Sequence, residues 1–492
     1  MRYVSTRGDL EKVTSSAAII RGLAPDRGLY VPESIPALPC RLSEFTDMPY
    51  GALAEKILSV FLTDFTGREL NSCTKNAYDE KFDTAEIAPV VKTDKAYFLE
   101  LWHGSTAAFK DMALSILPWL LKTALEKEGE DKKIAVLTAT SGDTGKAALA
   151  GFADVSGTEI IVFYPKDGVS VVQERQMITQ CGVNVHVYGI RGNFDEAQTG
   201  VKNVFNDFSF ADELAGKGIR LSSANSINIG RLVPQVAYYV NAYAKLLGSG
   251  EIADGEKINI CVPTGNFGNI LAAWYAKQMG LPVARLICAS NENKILTDFI
   301  NTGIYDRRRE FILTSSPSMD ILVSSNLERL LWHLSGCDSE RTASLMTSLD
   351  KDGFYDAGAE TKEALVEFHG GFSDMSMSHA ALTKLWKEER YLIDTHTAVA
   401  YSVYLDYVNK TGDKTKTLIA STASPYKFAG SVAGAIGFEK GENEFSTIEI
   451  LKKETGIPVP MCLNGLDKIP VLHDDVIEKS EIGSAVRKAL HI

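Results

Sequence analysis

The chain has 492 residues, of which 45% are hydrophobic and 23% charged, the composition of a globular protein too long for one simple core. Its 51 basic and 63 acidic residues leave a net charge of -12, which argues against a nucleic-acid surface and means that an anionic substrate needs a local cationic pocket. No apolar run approaches the ~18 residues of a membrane span, and seven cysteines and eight histidines lie without C-x-x-C pairing or metal spacing, so neither a zinc site nor a disulfide framework is signalled.

The opening "MRYVSTRGDLEKV" has charges where a signal peptide has its apolar core, and a cytoplasmic protein is expected. Turn-rich "LAPDRGLYVPESIPALP" and helical "YGALAEKILSVFLTDF" then make residues 1–97 a separate, mainly helical N-terminal domain. From residue 98 short β-branched runs alternate with amphipathic stretches: "KIAVLTAT", "EIIVFYP", "VNVHVYGI", "INICVPT", "ARLICAS" and "TLIAST". That alternation predicts parallel strands joined by crossover helices, an α/β protein. The mostly helical stretch before "INICVPT" suits a boundary between two α/β lobes, 98–225 and 226–492. Residues 300–400 carry more charge and weaker strand signals, and are expected to be a helical elaboration.

Within this frame "LWHGSTAAFKDMALSILPWLL" places Lys110 in the first turn of a predicted helix, the positive end of the macrodipole. An ammonium is disfavoured there, which supplies neutral amine for imine chemistry. Pro118 predicts a kink or an early break in the same helix. Two further strand ends carry polar turns. "TATSGDTGKAA" offers Ser141, Asp143, Thr144 and Lys146 at a helix start; Thr140 and Ala147 stand where a nucleotide-binding P-loop needs glycine and a hydroxyl. "PTGNFGN" sets Gly265, Asn266, Phe267 and Gly268 before Asn269, a predicted helix cap, and two glycines let the backbone approach an anion. A third strand end, "LIASTASPYKFAG", carries Thr422. Three polar strand ends in an open α/β sheet predict one shared crevice.

Four motifs in this order, "HGSTAAFKDMA", "TATSGDTGKAA", "SANSINIGRL" and "PTGNFGN", with "YVSTRG" and "APDRGLYVPESIP" before them, resemble the threonine synthases. The resemblance implies a tryptophan-synthase-β-like fold (fold type II) of two open parallel-sheet lobes, with pyridoxal 5'-phosphate as cofactor. It implies that Lys110 carries the cofactor and that Asp143 lies near its ring. Gly265, Asn266, Phe267, Gly268 and Asn269 would hold the cofactor phosphate, and Thr422 would face the pyridine nitrogen.

The implied substrate is O-phospho-L-homoserine, converted by γ-elimination of phosphate and β-addition of water to L-threonine. Thr106, Ser141 and Thr144 would bind it, with Arg231 first and Lys146 second as the cations for its phosphate. No metal, nucleic acid or membrane is expected, and the assembly is expected to be a monomer or homodimer. Ser105 replaces a proline, and Ser424 a histidine, frequent in the family. A phospho-lyase releasing 2-oxobutyrate, or a non-catalytic amino-acid or anion binder on the same scaffold, are the alternatives.

Overall fold

Two parallel sheets organise the molecule, and each reverses its strand order at one strand. The computed structural model describes residues 1–130 and 132–492. In the smaller sheet the order is Val476–Glu478, Val185–Arg191, Thr158–Pro165, Lys133–Ala139, Ile219–Ser222, all parallel. In the larger sheet it is Phe368–Phe372, Val283–Ser290, Ile258–Pro263, Thr417–Ser421, Tyr97–Glu100, also parallel, with Val90–Lys92 added antiparallel at the edge. Chain order reverses around Lys133–Ala139 in the first sheet and around Ile258–Pro263 in the second. Those two strands lead directly into the two polar turns, the positions where open sheets leave a crevice for ligands.

The central strands are buried on both faces, as crossover helices require. Ile258–Pro263 has no residue outside the core, and Lys133–Ala139 emerges only at its ends. All six strand-forming runs read from the sequence are strands. Residues 1–97 carry the helices Ser15–Arg21, Tyr50–Phe61 and Gly67–Ala77, with long stretches without regular structure around them. Ile57 and Phe61 of this segment are fully buried in one cluster with Tyr238 and Tyr239 of helix Pro234–Gly248. Each such side chain contributes about 1.5–3 kcal/mol of burial, so the N-terminal segment is fused to the lobes by core packing. No helix among the described residues is long and apolar enough to cross a membrane.

Sheet membership departs from the continuous division into 98–225 and 226–492. Tyr97–Glu100, at the sequence boundary of the smaller lobe, pairs Leu99 with Ala420 in the larger sheet. At the other end of the chain, Val476–Glu478 joins the smaller sheet beside Val185–Arg191. Hydrogen bonds between strands that distant leave no local periodicity to read. The 300–400 region is mostly helical, but Phe368–Phe372 joins the larger sheet and Ile304–Asp306 pairs with Phe354–Asp356.

Candidate functional site

Lys110 is positioned by a loop sewn to the neighbouring strand end. Leu101 N–H donates to Ser421 O (3.0 Å), Phe109 N–H to Thr422 O (2.8 Å) and Ser424 N–H to Ala107 O (3.0 Å). Lys110 is the N-cap of helix Asp111–Leu114; a second helix, Leu117–Glu128, carries Pro118 in its first turn, where its missing N–H costs nothing. The predicted break is therefore present, between two short helices. The Lys110 side chain is 15% exposed, and its Nζ lies 3.6 Å from Asp143 Oδ2. Burial lowers the pKa of this amine; Asp143 opposes the shift, and the cations of Lys427 and Arg231 add to it.

Asp143 is the hub of the site. Lys427 Nζ lies 2.7 Å from its Oδ1, Gln173 Nε2 donates to the same oxygen at 2.8 Å, and Ser318 Oγ donates to Oδ2 at 3.3 Å. Burial alone would raise this carboxyl, but Lys427 and Lys110 hold it well below the usual carboxylate range. Gly142, at φ 139°, begins the helix Asp143–Phe152, and a Cβ there would meet the Gln173 amide at 2.5 Å. Only glycine lets Gln173 approach closely enough to hold Asp143.

The glycine loop before helix Gly268–Gln278 presents unpaired donors. The N–H groups of Gly265, Asn266, Phe267, Gly268 and Asn269 have no protein acceptor among the described residues. Phe267 takes the left-handed conformation (φ 62°), which curls the loop into a nest for an anion. Asn269 is buried with no partner for Nδ2 among the described residues, while its Oδ1 accepts from the hydroxyls of Tyr238 and Tyr239 at 2.6 and 2.5 Å. The expected cap is corrected here: Phe267 is the N-cap, without a side-chain bond, and Asn269 is one residue inside the helix. A Cβ on Gly265 would sit 2.7 Å from Ser318 O, so the segment that touches Asp143 also covers this loop. A depressed lysine facing a carboxylate, beside a nest of free N–H groups, fits a phosphorylated aldehyde.

Ser141 is exposed and Thr144 half-buried on the first turn, where the N–H groups of Ser141, Asp143 and Thr144 are also unpaired among the described residues. Thr140 Oγ1 accepts from Gly142 and Gly145 N–H at 3.0 and 2.9 Å and fixes that turn. Arg231 is buried; Nη1 donates to Ala224 O at 2.9 Å, and Nε has no partner among the described residues. Burial brings it down to about 10, still charged at neutral pH, and leaves a cation with no anion beside it among the described residues. Lys146, pushed down to about 8 by burial, has Gln180 Oε1 as its hydrogen-bond partner.

Thr106 instead supports the loop, giving its N–H and hydroxyl to Asp111 (2.8 and 2.7 Å) and its carbonyl to Lys427 Nζ at 2.8 Å. Thr422 lies on the same seam through its backbone, and its hydroxyl has no partner among the described residues. Ser105 lines a 260 Å³ cavity beside the lysine loop. Ser424 accepts from Tyr426 N–H at 3.3 Å, capping the turn that carries Lys427.

Sequence reasoning passed over Lys427, Gln173, Ser318 and the pair Asp394–His396. Lys427 stood five residues past Thr422 in a quoted motif, and its full burial against Asp143 was the missing information. His396 Nε2 accepts from Ser318 N–H (3.2 Å) while Nδ1 donates to Asp394 (2.7 Å), an arrangement with no sequence signature.

Comparison with known proteins fits this geometry. The family model "Threonine synthase N terminus" matches residues 2–78, and "Pyridoxal-phosphate dependent enzyme" matches 86–422. Threonine synthase-like 1 of Homo sapiens is 37% identical over 97% of the chain, which spans 65% of that protein's length. Threonine synthase of Schizosaccharomyces pombe is 35% identical over 87% of this chain and 88% of its own. The crystal structure of PLP-bound threonine synthase from Brucella melitensis superposes with a TM-score of 0.89 at 33% identity, covering 99% of both chains. That of the yeast threonine synthase also gives 0.89, at 30% identity, covering 100% of this chain and 99% of its own. The chain belongs to the threonine synthase family of pyridoxal-phosphate dependent enzymes.

Proposed function

We propose that this protein converts O-phospho-L-homoserine and water to L-threonine and phosphate, with pyridoxal phosphate held between Lys110 and the glycine loop. One observation carries the reading: Ser318 touches both Asp143, which faces Lys110, and Gly265, which opens the anion nest. When bound, the cofactor supplies the electron sink that makes protons next to the substrate amine removable. Gly265, Asn266, Phe267, Gly268 and Asn269 hold its phosphate, and Thr422 offers a neutral hydroxyl to its pyridine nitrogen.

Lys110 acts as the base that moves protons at Cα and Cβ once the substrate amine has taken its place, and reprotonates the γ-carbon after phosphate leaves. A lowered pKa suits that role, because burial favours the neutral amine over the ammonium. The substrate carboxylate takes the free N–H groups and hydroxyls of Ser141 and Thr144. Arg231 receives the substrate phosphate, and its unpartnered Nε is the donor it lacks an anion for. Lys146 supplies further positive charge. Thr106 serves this chemistry indirectly, by fixing Asp111 and Lys427.

Borohydride reduction of the yellow protein, followed by peptide mass mapping, will find the cofactor fixed to Lys110; modification of a different lysine overturns the assignment. Incubation with O-phospho-L-homoserine will yield threonine and phosphate in equal amounts. Release of 2-oxobutyrate and ammonia instead would identify a phospho-lyase, and inertness a binder.

A further inference from the structure

The segment from Ser316 to helix Leu327–Leu334 crosses over the glycine loop, and two of its side chains grip successive loop carbonyls. Ser324 Oγ donates to Gly265 O at 2.7 Å. Asn326 donates to Asn266 O twice, from its backbone N–H at 3.2 Å and from Nδ2 at 3.1 Å. In a trans peptide the carbonyl of one residue and the N–H of the next point in opposite directions. Tying Gly265 O and Asn266 O to one segment therefore turns the N–H groups of Asn266 and Phe267 away from it, toward the side where they have no acceptor among the described residues.

The orientation of Asn326 is itself fixed. It stands at the N-cap of helix Leu327–Leu334, where asparagine ordinarily accepts from the helix's own N–H groups, yet it makes no cap bond. Its Oδ1 instead accepts from Arg329 Nη1. A guanidinium only donates, so Arg329 selects the carbonyl oxygen of the amide and leaves Nδ2 for Asn266. Arg329 is fully buried, with Nε on Tyr30 O at 3.0 Å and Nη2 on Ile227 O, four residues before Arg231. Ser324 is 6% exposed and Asn326 0%, so water does not compete for these bonds.

We infer that Ser324 and Asn326, the latter oriented by Arg329, are positioning residues that preset the loop N–H groups for a phosphate. This rests on the proposed cofactor reading and deepens it: the energy of shaping the nest is spent in folding, so that binding need not supply it. The relevant variants are Ser324→Ala and Asn326→Asp. The second keeps the oxygen that Arg329 holds but sets an oxygen against Asn266 O.

The test compares equilibrium affinities of the resolved and reconstituted protein for pyridoxal phosphate and for pyridoxal, which reaches the same lysine without a phosphate. Asn326→Asp is expected to weaken pyridoxal phosphate by roughly tenfold or more and Ser324→Ala by a few fold, with pyridoxal changed less than about twofold. The ³¹P resonance of the bound phosphate shifts in both variants. Equal losses for both ligands, or no loss for either, overturn the inference while leaving the wild-type reading intact. A wild-type protein that takes up no pyridoxal phosphate overturns both.

Discussion

Lys146 is a lysine in the first turn of a helix with 7% exposure, and burial there brings its ammonium down to about 8. Asp111 stabilises its charge and Lys427 opposes it, so desolvation decides the outcome. The group is protonated below about pH 8 and loses its charge as pH rises through that value. If Lys146 helps to hold the substrate phosphate, KM for O-phospho-L-homoserine climbs above pH 8, by up to about tenfold per unit for a fully coupled proton. Lys146→Arg keeps the charge throughout, because a guanidinium does not titrate in this range, and flattens that rise. A wild-type KM constant from pH 7 to 9.5 would remove Lys146 from the phosphate site and leave Arg231 alone. Arg231 falls only to about 10 and so keeps most of its charge up to pH 9, and the part of the rise that Lys146→Arg removes below that pH reports on Lys146.

At the scale of the element, the lysine loop is pinned at its start by His103, whose Nδ1 lies 2.6 Å from Asp83 and Nε2 2.9 Å from Glu100. Burial opposes its charge, but the two carboxylates prevail and raise it to about 9 from 6.5. A raised folded-state pKa contributes stability that is complete below about pH 6.5 and is lost as pH rises through 9. The melting temperature of the wild type will fall between those values more steeply than that of His103→Gln; parallel curves would show that the clamp carries no proton. Such clamps explain what was legible in the sequence. The glycine turns and the lysine at a helix start are local, so their place at strand ends followed from spacing alone. Lys427, Ser318 and Asn326 act across large sequence separations, and their stretches, "SPYKF" and "SPSMDILVSSN", mix polar and apolar residues with proline and show no periodicity. The same blindness misplaced Tyr97–Glu100, whose partners Leu418 to Ser421 lie more than 300 residues away.

On the scale of the whole molecule, the smaller lobe is completed by the last elements of the described chain. Val476–Glu478 closes its sheet edge against Gly189, Ile190 and Arg191. Helix Ile482–Leu490 then buries Ile482, Val486 and Ala489 at 1%, 0% and 2% exposure among Phe163, Ile190 and Val201. The contact is close: a Cβ on Gly200 would meet Ile482 Cδ1. The two larger side chains contribute about 1.5–3 kcal/mol each, which is a large share of the ~5–15 kcal/mol that separates a domain from its unfolded state. Removal of residues 474–492 also exposes the edge of Val185–Arg191. Hydrogen exchange in that truncated protein will accelerate at least about tenfold across Lys133–Ala139, Thr158–Pro165 and Val185–Arg191, in line with a loss above 1.4 kcal/mol. Ile258–Pro263 and Val283–Ser290 will keep their protection, because their core is built without the tail. Uniform acceleration in both sheets would mean that the lobes unfold as one unit, and unchanged exchange in the smaller sheet would mean that the tail only decorates it. The selective result has a functional corollary: the turn at Ser141 and Asp143 belongs to the loosened lobe, while the glycine nest belongs to the intact one. On the proposed roles of the two turns, the truncated protein will retain the phosphate nest and lose the grip on the substrate carboxylate.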